Sequence, residues 1–150
     1  MIRTDGAARG NPGPASAGAV LLASSRPDAL DPLAAPDATV SVYLGVRTNN
    51  VAEYTGLVRA LELAAELEAT EVDLLLDSQL IVEQLRGNYR VKDAKLRPLF
   101  EAARSILDRL DRWSVRHVPR AENSAADALA NAAIDRVAAG GPAVVIERPR

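Results

Sequence analysis

The stretch Met1-Ile2-Arg3-Thr4-Asp5-Gly6-Ala7-Ala8-Arg9-Gly10-Asn11-Pro12-Gly13-Pro14 is the one around which the rest of the chain is organised. It predicts a short strand that carries one carboxylate, Asp5, and then enters a loop broken by glycine and proline. The glycine directly after the acid, Gly6, lets a large ligand come close to the backbone. The loop adds tight turns and one amide side chain, Asn11. Taken alone, this stretch fits a plain hairpin turn and a ligand site equally well.

The composition limits the chemistry that the chain can carry. Its 150 residues are most simply one domain, and they include no cysteine and a single histidine, His117. Thiolate catalysis and zinc sites rich in cysteine or histidine are therefore excluded, and any metal must be a hard cation held by oxygen. Because no run of about eighteen apolar residues exists and Met1 opens directly into a strand, we expect neither a membrane span nor a signal peptide. The default expectation is a monomer in the cytoplasm.

The charge is unevenly distributed along the chain. The net charge is −2, yet residues 86–120 hold ten basic and four acidic residues, so this segment carries +6 and the remainder −8. Such a split suits a protein that binds a polyanion with one part and a metal with another. Basic residues that merely solvate a helix would give the same pattern.

The hydrophobic pattern predicts an α/β fold. Residues 72–76 form a nearly continuous apolar run, which is typical of a strand covered on both faces and thus of a parallel neighbour. Helical spacing begins near Asn50. After the first strand the predicted order is strands at 15–24 and 38–46, a helix at 50–68, a strand at 72–76, helices at 78–85 and 93–110, a strand at 112–118 and a helix at 124–138.

These elements predict a five-stranded mixed sheet with helices on both faces. Short turns make the first three strands antiparallel, and the rest are parallel. The predicted domain covers residues 1–138, and residues 139–150 form a C-terminal tail. One strand-like piece of that tail, Val144-Val145-Ile146, has no role that the sequence assigns.

Two acids end strands that this order can place side by side. Asp5 closes the first strand and Asp77 the fourth. If these strands are parallel neighbours, both carboxylates lie at the same edge of the sheet, where open sheets bind their ligands. Two adjacent carboxylates repel each other unless a cation or a proton lies between them.

Two more acids lie in the first turns of predicted helices. Glu53 falls on the helix face that turns toward the sheet, although Asn50 and Glu53 also fit a capping box. Asp127 lies above the buried stripe of the last helix, although Ser124 and Asp127 could form a cap pair. Four carboxylates that converge on one edge, without cysteine or paired histidine, indicate a site for Mg²⁺ or Mn²⁺.

Four motifs, taken in order along the chain, resemble those of the type 1 ribonuclease H family. They are Asp5-Gly6…Gly10-Asn11-Pro12-Gly13, Thr48-Asn49-Asn50-x-x-Glu53, Asp77-Ser78-Gln79, and His117-Val118-Pro119-Arg120-x-x-Asn123-x-x-x-Asp127-x-Leu129-Ala130. Each motif alone is weak evidence, whereas four in register are strong, and together they cover about residues 1–138. The resemblance implies a ribonuclease H-like fold.

The resemblance also implies an activity and a metal site. It implies an endonuclease that cuts the RNA strand of RNA–DNA hybrids and leaves 5′-phosphate and 3′-hydroxyl ends. Asp5, Glu53, Asp77 and Asp127 match the four metal-binding acids, with Asp5 bridging two Mg²⁺ or Mn²⁺ ions when substrate is bound. Two such ions, roughly 3.5–4 Å apart, can activate a water and stabilise the leaving oxygen.

Further residues match family positions that contact the substrate. Asn11, Asn49 and Gln79 correspond to positions whose amides meet minor-groove edges and the 2′-hydroxyls that distinguish RNA from DNA. Asparagines in turns also often bond their own backbone. Thr48 resembles a contact to a DNA phosphate. The implied substrate-binding set is completed by Asn123 and by Gly6, which would clear room beside the metals.

His117 and Arg120 are alternatives for a role beside the acids. His117 lies ten positions before Asp127, which is the spacing of a proton-shuttling histidine in bacterial members of the family. A single histidine near a strand end also fits a structural role. The text His117-Val118-Pro119-Arg120 resembles a compact branch in which the arginine assists instead, by binding phosphate and balancing charge.

The chain departs from the larger bacterial members of the family. The tryptophan-bearing basic protrusion is missing, and the only tryptophan, Trp113, falls in a predicted strand, where we expect it to be core. We also expect no hybrid-binding module before Met1. The basic segment at 86–120 could substitute partly through phosphate contacts, so we expect modest affinity that weakens steeply with salt.

Other functions fit parts of this pattern. A junction resolvase-like metal nuclease could share the fold. An enzyme that acts on DNA alone, however, needs no side chains that recognise 2′-hydroxyls. A non-catalytic hybrid-binding module could share the contacts, but clustered acids without a metal would repel nucleic acid. A nucleotide binder is disfavoured because no glycine-rich fingerprint opens a helix.

Overall fold

The computed structural model describes residues 1–149. Its strands are β1 (Ile2–Ala8), β2 (Gly13–Leu21), β3 (Ala38–Arg47), β4 (Glu71–Leu76), β5 (Arg112–His117) and β6 (Val144–Glu147). Its helices are α1 (Asn49–Glu66), α2 (Gln79–Leu85), α3 (Arg97–Leu107) and α4 (Ser124–Ala138), and a 3₁₀ turn at Arg120–Asn123 precedes α4. None of the helices in this range is long and apolar enough to cross a membrane.

One mixed sheet contains all of these strands, in the order β5-β4-β1-β2-β3-β6. β1, β2 and β3 are antiparallel neighbours, whereas β1, β4 and β5 pair in parallel. The predicted α/β fold with a mixed sheet is therefore confirmed. Its consequence for the site is that β4 ends beside the middle of β1, where Leu76 pairs with Thr4.

The predicted count of five strands is wrong, because part of the tail forms a sixth. β6 pairs antiparallel with β3, so the strands after the first three are not all parallel. A piece as short as Val144-Val145-Ile146 cannot specify its partner by its own pattern, and it pairs with the edge of β3 that would otherwise stay open. The division into a domain at 1–138 and a tail at 139–150 stays a prediction, and Arg150 lies outside the described residues.

Helices cover both faces of the sheet. On one face α1 buries Tyr54, Leu57 and Leu61 completely against the apolar side chains of the strands, and α2 and α3 extend this layer. Each large apolar side chain buried there contributes about 1.5–3 kcal/mol. On the other face α4 packs so closely that a Cβ on Gly18 would lie 2.2 Å from the carbonyl oxygen of Ala126, an approach that only glycine permits.

Two helices begin at residues other than those that the hydrophobic pattern predicts, because a capping hydrogen bond and a proline set where they start. α1 begins at Asn49, because the Thr48 side chain accepts a hydrogen bond from the backbone amide three residues on (3.3 Å). Thr48 is thus the N-cap, and the alternative in which Asn50 and Glu53 form a capping box is wrong. α3 begins at Arg97, with a proline in its first turn, where the missing amide costs no helical hydrogen bond.

Candidate active site

Two of the predicted acids meet where β4 ends beside the middle of β1. The two strands pair with Thr4 opposite Leu76, so Asp5 and Asp77 follow at the same edge of the sheet. Asp5 is buried, with 4 % of its surface exposed, and its carboxylate accepts a hydrogen bond from the Gly6 amide (2.9 Å). Asp77 is half-buried. The structure therefore brings the two carboxylates together, but the prediction that Asp5 closes the first strand is wrong, because β1 continues to Ala8 in its pairing with β2.

Glu53 reaches the same place from the second turn of α1, and Gly6 makes this possible. A Cβ on Gly6 would lie 2.3 Å from the backbone nitrogen of Glu53. Gly6 is itself buried, and the space beside it is filled by the backbone of α1, not left open for a ligand. The prediction that Gly6 binds substrate is therefore wrong. Its lack of a side chain lets α1 place Glu53 over β1, next to Asp5.

The acids form a compact group of oxygen ligands. Carboxylate oxygens of Asp5, Glu53 and Asp77 all lie within 4.8 Å of one another. Asp127 lies in the first turn of α4, with its carboxyl close enough to that of Asp5 for the two to interact directly. The side-chain amide of Asn131 bonds the carbonyl and the carboxylate of Asp127, at 3.1 and 3.3 Å. The structure thus brings together all four predicted acids.

Burial and mutual repulsion disturb the protonation of these acids. Burial, followed by the charges of Asp77, Asp127 and Glu53, raises the pKa of Asp5 to about 8. Burial and the charge of Asp77 also raise the pKa of Glu53. Burial raises the pKa of Asp77, against the opposing charge of Arg120. Without a cation the group therefore holds a proton near neutral pH.

Two polar neighbours hold the Glu53 carboxylate in place. The Asn49 side-chain amide donates a hydrogen bond to it (3.3 Å), and the nearby Ser78 hydroxyl, at the start of α2, lowers the pKa of Glu53. Ser78 is also the N-cap of α2, where it accepts a hydrogen bond from the Ile81 amide (3.3 Å). Ser78 is not among the predicted site residues, and its position directly after Asp77 is the one signal that the sequence offers for it.

His117 and Arg120 both lie beside the acids. His117 ends β5 opposite Leu76, is exposed, and has its Nε2 atom 3.2 Å from the carbonyl oxygen of Asp77. Arg120 opens the 3₁₀ turn, and its positive charge opposes the rise in the pKa of both Glu53 and Asp77. The choice between these two alternatives stays a prediction.

Three amide side chains, Asn11, Asn49 and Gln79, form what we call the amide set. The side-chain oxygen of Asn11 accepts a hydrogen bond from the backbone amide of Asn49 (3.1 Å), which ties the loop after β1 to the start of α1. Gln79 is exposed at the start of α2 and donates to Glu83 (3.0 Å). Asn11 is thus held by α1, the helix that carries Glu53, and Gln79 lies at the start of α2, just after Asp77.

Asn123 does not belong with these surface residues. It is completely buried, and its Nδ2 atom donates a hydrogen bond to the carbonyl oxygen of Thr4 (2.9 Å). The prediction that Asn123 binds substrate is therefore wrong, because none of its surface is accessible. The bond instead fastens the 3₁₀ turn to β1, one residue before Asp5.

The basic segment at 86–120 divides into paired and unpaired residues. Arg86, Arg104 and Arg112 form ion pairs with carboxylates. Arg104 also lies over the ring of Trp113, 5.1 Å from its centroid, so the expected core tryptophan is partly buried at the margin of the core. Within residues 1–149 the segment's other basic residues form no ion pair; they are Arg90, Lys92, Lys95, Arg97, Arg109, Arg116 and Arg120.

One of these unpaired residues borders a groove at the start of α1. Lys95 lines it together with Arg47 and Thr48, and the groove has a volume of about 630 Å³. Arg47 is not among the predicted site residues, and only its place directly before the Thr48 motif could have indicated it. The groove therefore presents two cations and a hydroxyl beside the amide set.

Comparisons with known proteins identify relatives for most of the chain. A family model described as reverse transcriptase-like matches residues 3–133. The bifunctional protein Rv2228c of Mycobacterium tuberculosis is 42 % identical over 138 residues, which are 92 % of this chain and 36 % of that protein. Ribonuclease HI of Halobacterium salinarum is 44 % identical over 131 residues, which are 87 % of this chain and 62 % of that protein. The chain thus spans less than two thirds of the length of either relative.

Solved structures show the same architecture. Ribonuclease H1 from Halobacterium salinarum superposes with a TM-score of 0.80 at 43 % identity, over 89 % of this chain and 96 % of that chain. LC11-RNase H1, solved in complex with an RNA/DNA hybrid, superposes with a TM-score of 0.81 at 39 % identity, over 91 % of this chain and 97 % of that chain. The ribonuclease H-like fold is therefore confirmed, and the chain belongs to the type 1 ribonuclease H family.

Proposed function

We propose that this chain is an endonuclease that hydrolyses the RNA strand of RNA–DNA hybrids. Water adds to phosphorus and the bond to the 3′ oxygen breaks, which leaves 5′-phosphate and 3′-hydroxyl ends. The observation that carries the proposal is the cluster of Asp5, Glu53 and Asp77 oxygens within 4.8 Å, with Asp127 beside it. A member of the same family, LC11-RNase H1, was solved with such a hybrid bound.

The four acids fit a site for Mg²⁺ or Mn²⁺. Their donor atoms are carboxylate oxygens, the ligands that hard divalent cations prefer, and buried acids of raised pKa gain most from a cation between them. Two bound ions would supply an activated water and stabilise charge on the leaving oxygen. Asp5, whose pKa responds to all three other acids, is suited to be the shared ligand.

The amide set suits recognition of the RNA strand. An amide both donates and accepts hydrogen bonds, so it can meet a 2′-hydroxyl, which also does both. The Asn49 backbone amide holds the Asn11 side chain, and the Asn49 side chain is held by its hydrogen bond to Glu53, so little side-chain freedom is lost when a substrate binds. The groove of Arg47, Thr48 and Lys95 suits a phosphate of the DNA strand.

His117 and Arg120 are alternatives for the remaining role beside the acids, and their chemistry differs. An exposed histidine beside Asp77 can carry protons to and from the site near neutral pH. An arginine whose charge reaches Glu53 and Asp77 can hold the phosphate against a negative site. If His117 is the assisting residue, His117→Ala should flatten the dependence of kcat on pH; if Arg120 is, Arg120→Ala should lower kcat/KM at every pH.

A panel of labelled duplexes tests the proposal. The protein is incubated with Mg²⁺ or Mn²⁺ and with RNA–DNA, DNA–DNA, RNA–RNA, or DNA that contains one ribonucleotide, alongside Asp77→Asn and the control Glu62→Gln, an exposed residue of α1. We expect cleavage of the RNA–DNA duplex by the wild type and by Glu62→Gln but not by Asp77→Asn. Cleavage of DNA–DNA would favour a resolvase-like nuclease, and tight binding without cleavage a hybrid-binding module.

We also propose that the protein works as a monomer in the cytoplasm, without a membrane. Support comes from the sequence, in which the four motifs lie on one chain and together supply all four acids. Light scattering after size exclusion would test the oligomeric state. A dimer mass at micromolar concentration would contradict it.

A further inference from the structure

Arg3 is a buried cation on β1, two residues before Asp5 and on the same face of the strand. Only 3 % of its surface is exposed. Its guanidinium donates one hydrogen bond to the carbonyl oxygen of Glu122 and another to that of Leu30, both at 3.1 Å. No carboxylate within residues 1–149 forms an ion pair with it. Burying the charge of Arg3 therefore costs free energy, and only two hydrogen bonds to backbone carbonyls offset that cost.

Stability alone does not explain a buried arginine at this position. A buried charge loses its hydration, and replacing buried charged groups by apolar side chains of similar size is often neutral or stabilising. A guanidinium does offer donors in a rigid planar fork, which can hold two separate carbonyls at a fixed distance. The two carbonyls belong to segments far apart in the sequence, the excursion at 22–37 between β2 and β3 and the 3₁₀ turn at 120–123.

The turn at 120–123 is fastened to β1 at two points. Arg3 bonds the carbonyl of Glu122, and the buried Asn123 side chain bonds the carbonyl of Thr4 (2.9 Å). These two bonds run in opposite directions between the same two segments. Arg120 opens this turn and Asp127 follows it in the first turn of α4. Both residues therefore depend for their positions on how the turn sits against β1.

We propose that Arg3 is a positioning residue that locks the turn at 120–123 onto β1 and thereby fixes Arg120 and Asp127 relative to Asp5. The expected effect of Arg3 on cleavage rests on the proposed function, whereas its expected effect on the turn does not. Loss of the lock should lower the rate of the chemical step, because small displacements of catalytic groups cost up to about 100-fold in rate. It should leave the affinity for the hybrid, which would come from the amide set and the groove of Arg47, Thr48 and Lys95, nearly unchanged.

Three variants test the proposal. Arg3→Met keeps the length of the side chain and removes both bonds, and Arg3→Lys keeps the charge but not the planar fork. The matched control is Arg26→Met, because Arg26 bonds Asp28, Asp37 and the carbonyl of Ala35 and so braces only the excursion. Each protein is measured for kcat, for KM, for the Mg²⁺ concentration of half-maximal rate, and for amide hydrogen exchange.

For Arg3→Met we expect kcat to fall about 10- to 100-fold, KM to change less than about threefold, and half-maximal rate to require more Mg²⁺. Exchange should accelerate at 120–127. Arg3→Lys should lie between Arg3→Met and the wild type, and it serves as the test variant if Arg3→Met does not fold. Arg26→Met should accelerate exchange within 22–37 and leave kcat unchanged.

Two results would overturn the proposal. One is unchanged exchange at 120–127 in both Arg3 variants. The other is the same loss of kcat in Arg26→Met as in Arg3→Met, which would assign the effect to the excursion. If the wild type cleaves no hybrid, the proposed function fails, and the exchange measurement still decides the role of Arg3.

Discussion

Replacing Asp5 by asparagine should separate the role of the acid cluster in cleavage from the stability that its mutual repulsion costs the fold. Asparagine has the shape of aspartate, and its oxygen can still accept the hydrogen bond from the Gly6 amide. It carries no charge, so repulsion from Asp77, Asp127 and Glu53 disappears. We expect Asp5→Asn to lose metal-dependent cleavage and, without metal, to be more stable than the wild type.

The size and sign of this effect follow from the pKa of Asp5. Folding raises that pKa from 3.8 to about 8, so the wild type loses stability as the pH rises from about 4 to about 8. At about 1.4 kcal/mol for each pKa unit the full shift corresponds to about 6 kcal/mol. This is an upper limit, because the acids share protons and water reaches the edge of the sheet. We expect a gain of about 1–3 kcal/mol above pH 8, or a rise in Tm of about 3–10 °C, and none below pH 4.

Urea unfolding in EDTA across this pH range, followed by circular dichroism, measures the gain. Mg²⁺ should then stabilise the wild type but not Asp5→Asn, because only the former keeps the acid cluster. Glu62→Gln, on the exposed side of α1, should match the wild type in every respect. The reasoning is refuted if Asp5→Asn is no more stable than the wild type at high pH, or if its advantage is the same at low pH.

Four other outcomes follow from the structure. Gly6→Ala should cost about 3 kcal/mol in urea unfolding, because its Cβ would lie 2.3 Å from the backbone of α1. Asn123→Ala should cost about 1–3 kcal/mol in the same assay, since a buried carbonyl of β1 loses its donor. Calorimetry in two buffers should show that Mg²⁺ binding releases protons and tightens as the pH rises to about 8, where Asp5 loses its proton. Lys95→Gln should reduce by about one the slope of log affinity for the hybrid against log salt, as measured by fluorescence anisotropy.

The position of the acids could be predicted from the sequence, because it follows from simple periodicity. Asp77 directly follows an apolar strand, and the parallel neighbour of that strand carries Asp5 at the same level, so both acids meet at one edge. Asp127 lies in the first turn of α4 and Glu53 in the second turn of α1, and packing brings the starts of both helices over that edge. The positions of the acids therefore depend only on the local hydrophobic pattern and on the parallel pairing of β1 with β4.

The roles of Gly6 and Asn123 could not be predicted in this way. Both belong to motifs of functional residues, but a motif does not say which way a side chain points. Gly6 is enclosed by the backbone of α1, and Asn123 turns inward to a carbonyl of β1. The pairing of β6 and the bonds of Arg3 join segments far apart in the chain, and no local pattern specifies such contacts.

Strand-resolved cleavage of a single hybrid tests the central claim most directly. The RNA and DNA strands carry different labels, the reaction runs under single turnover with Mg²⁺, and the product ends are determined chemically. We predict that only the RNA strand shortens, that its pieces carry 5′-phosphate and 3′-hydroxyl ends, and that Asp77→Asn leaves both strands intact. Shortening of the DNA strand, or full activity in Asp77→Asn, would contradict the assignment of the acid cluster as a ribonuclease H active site.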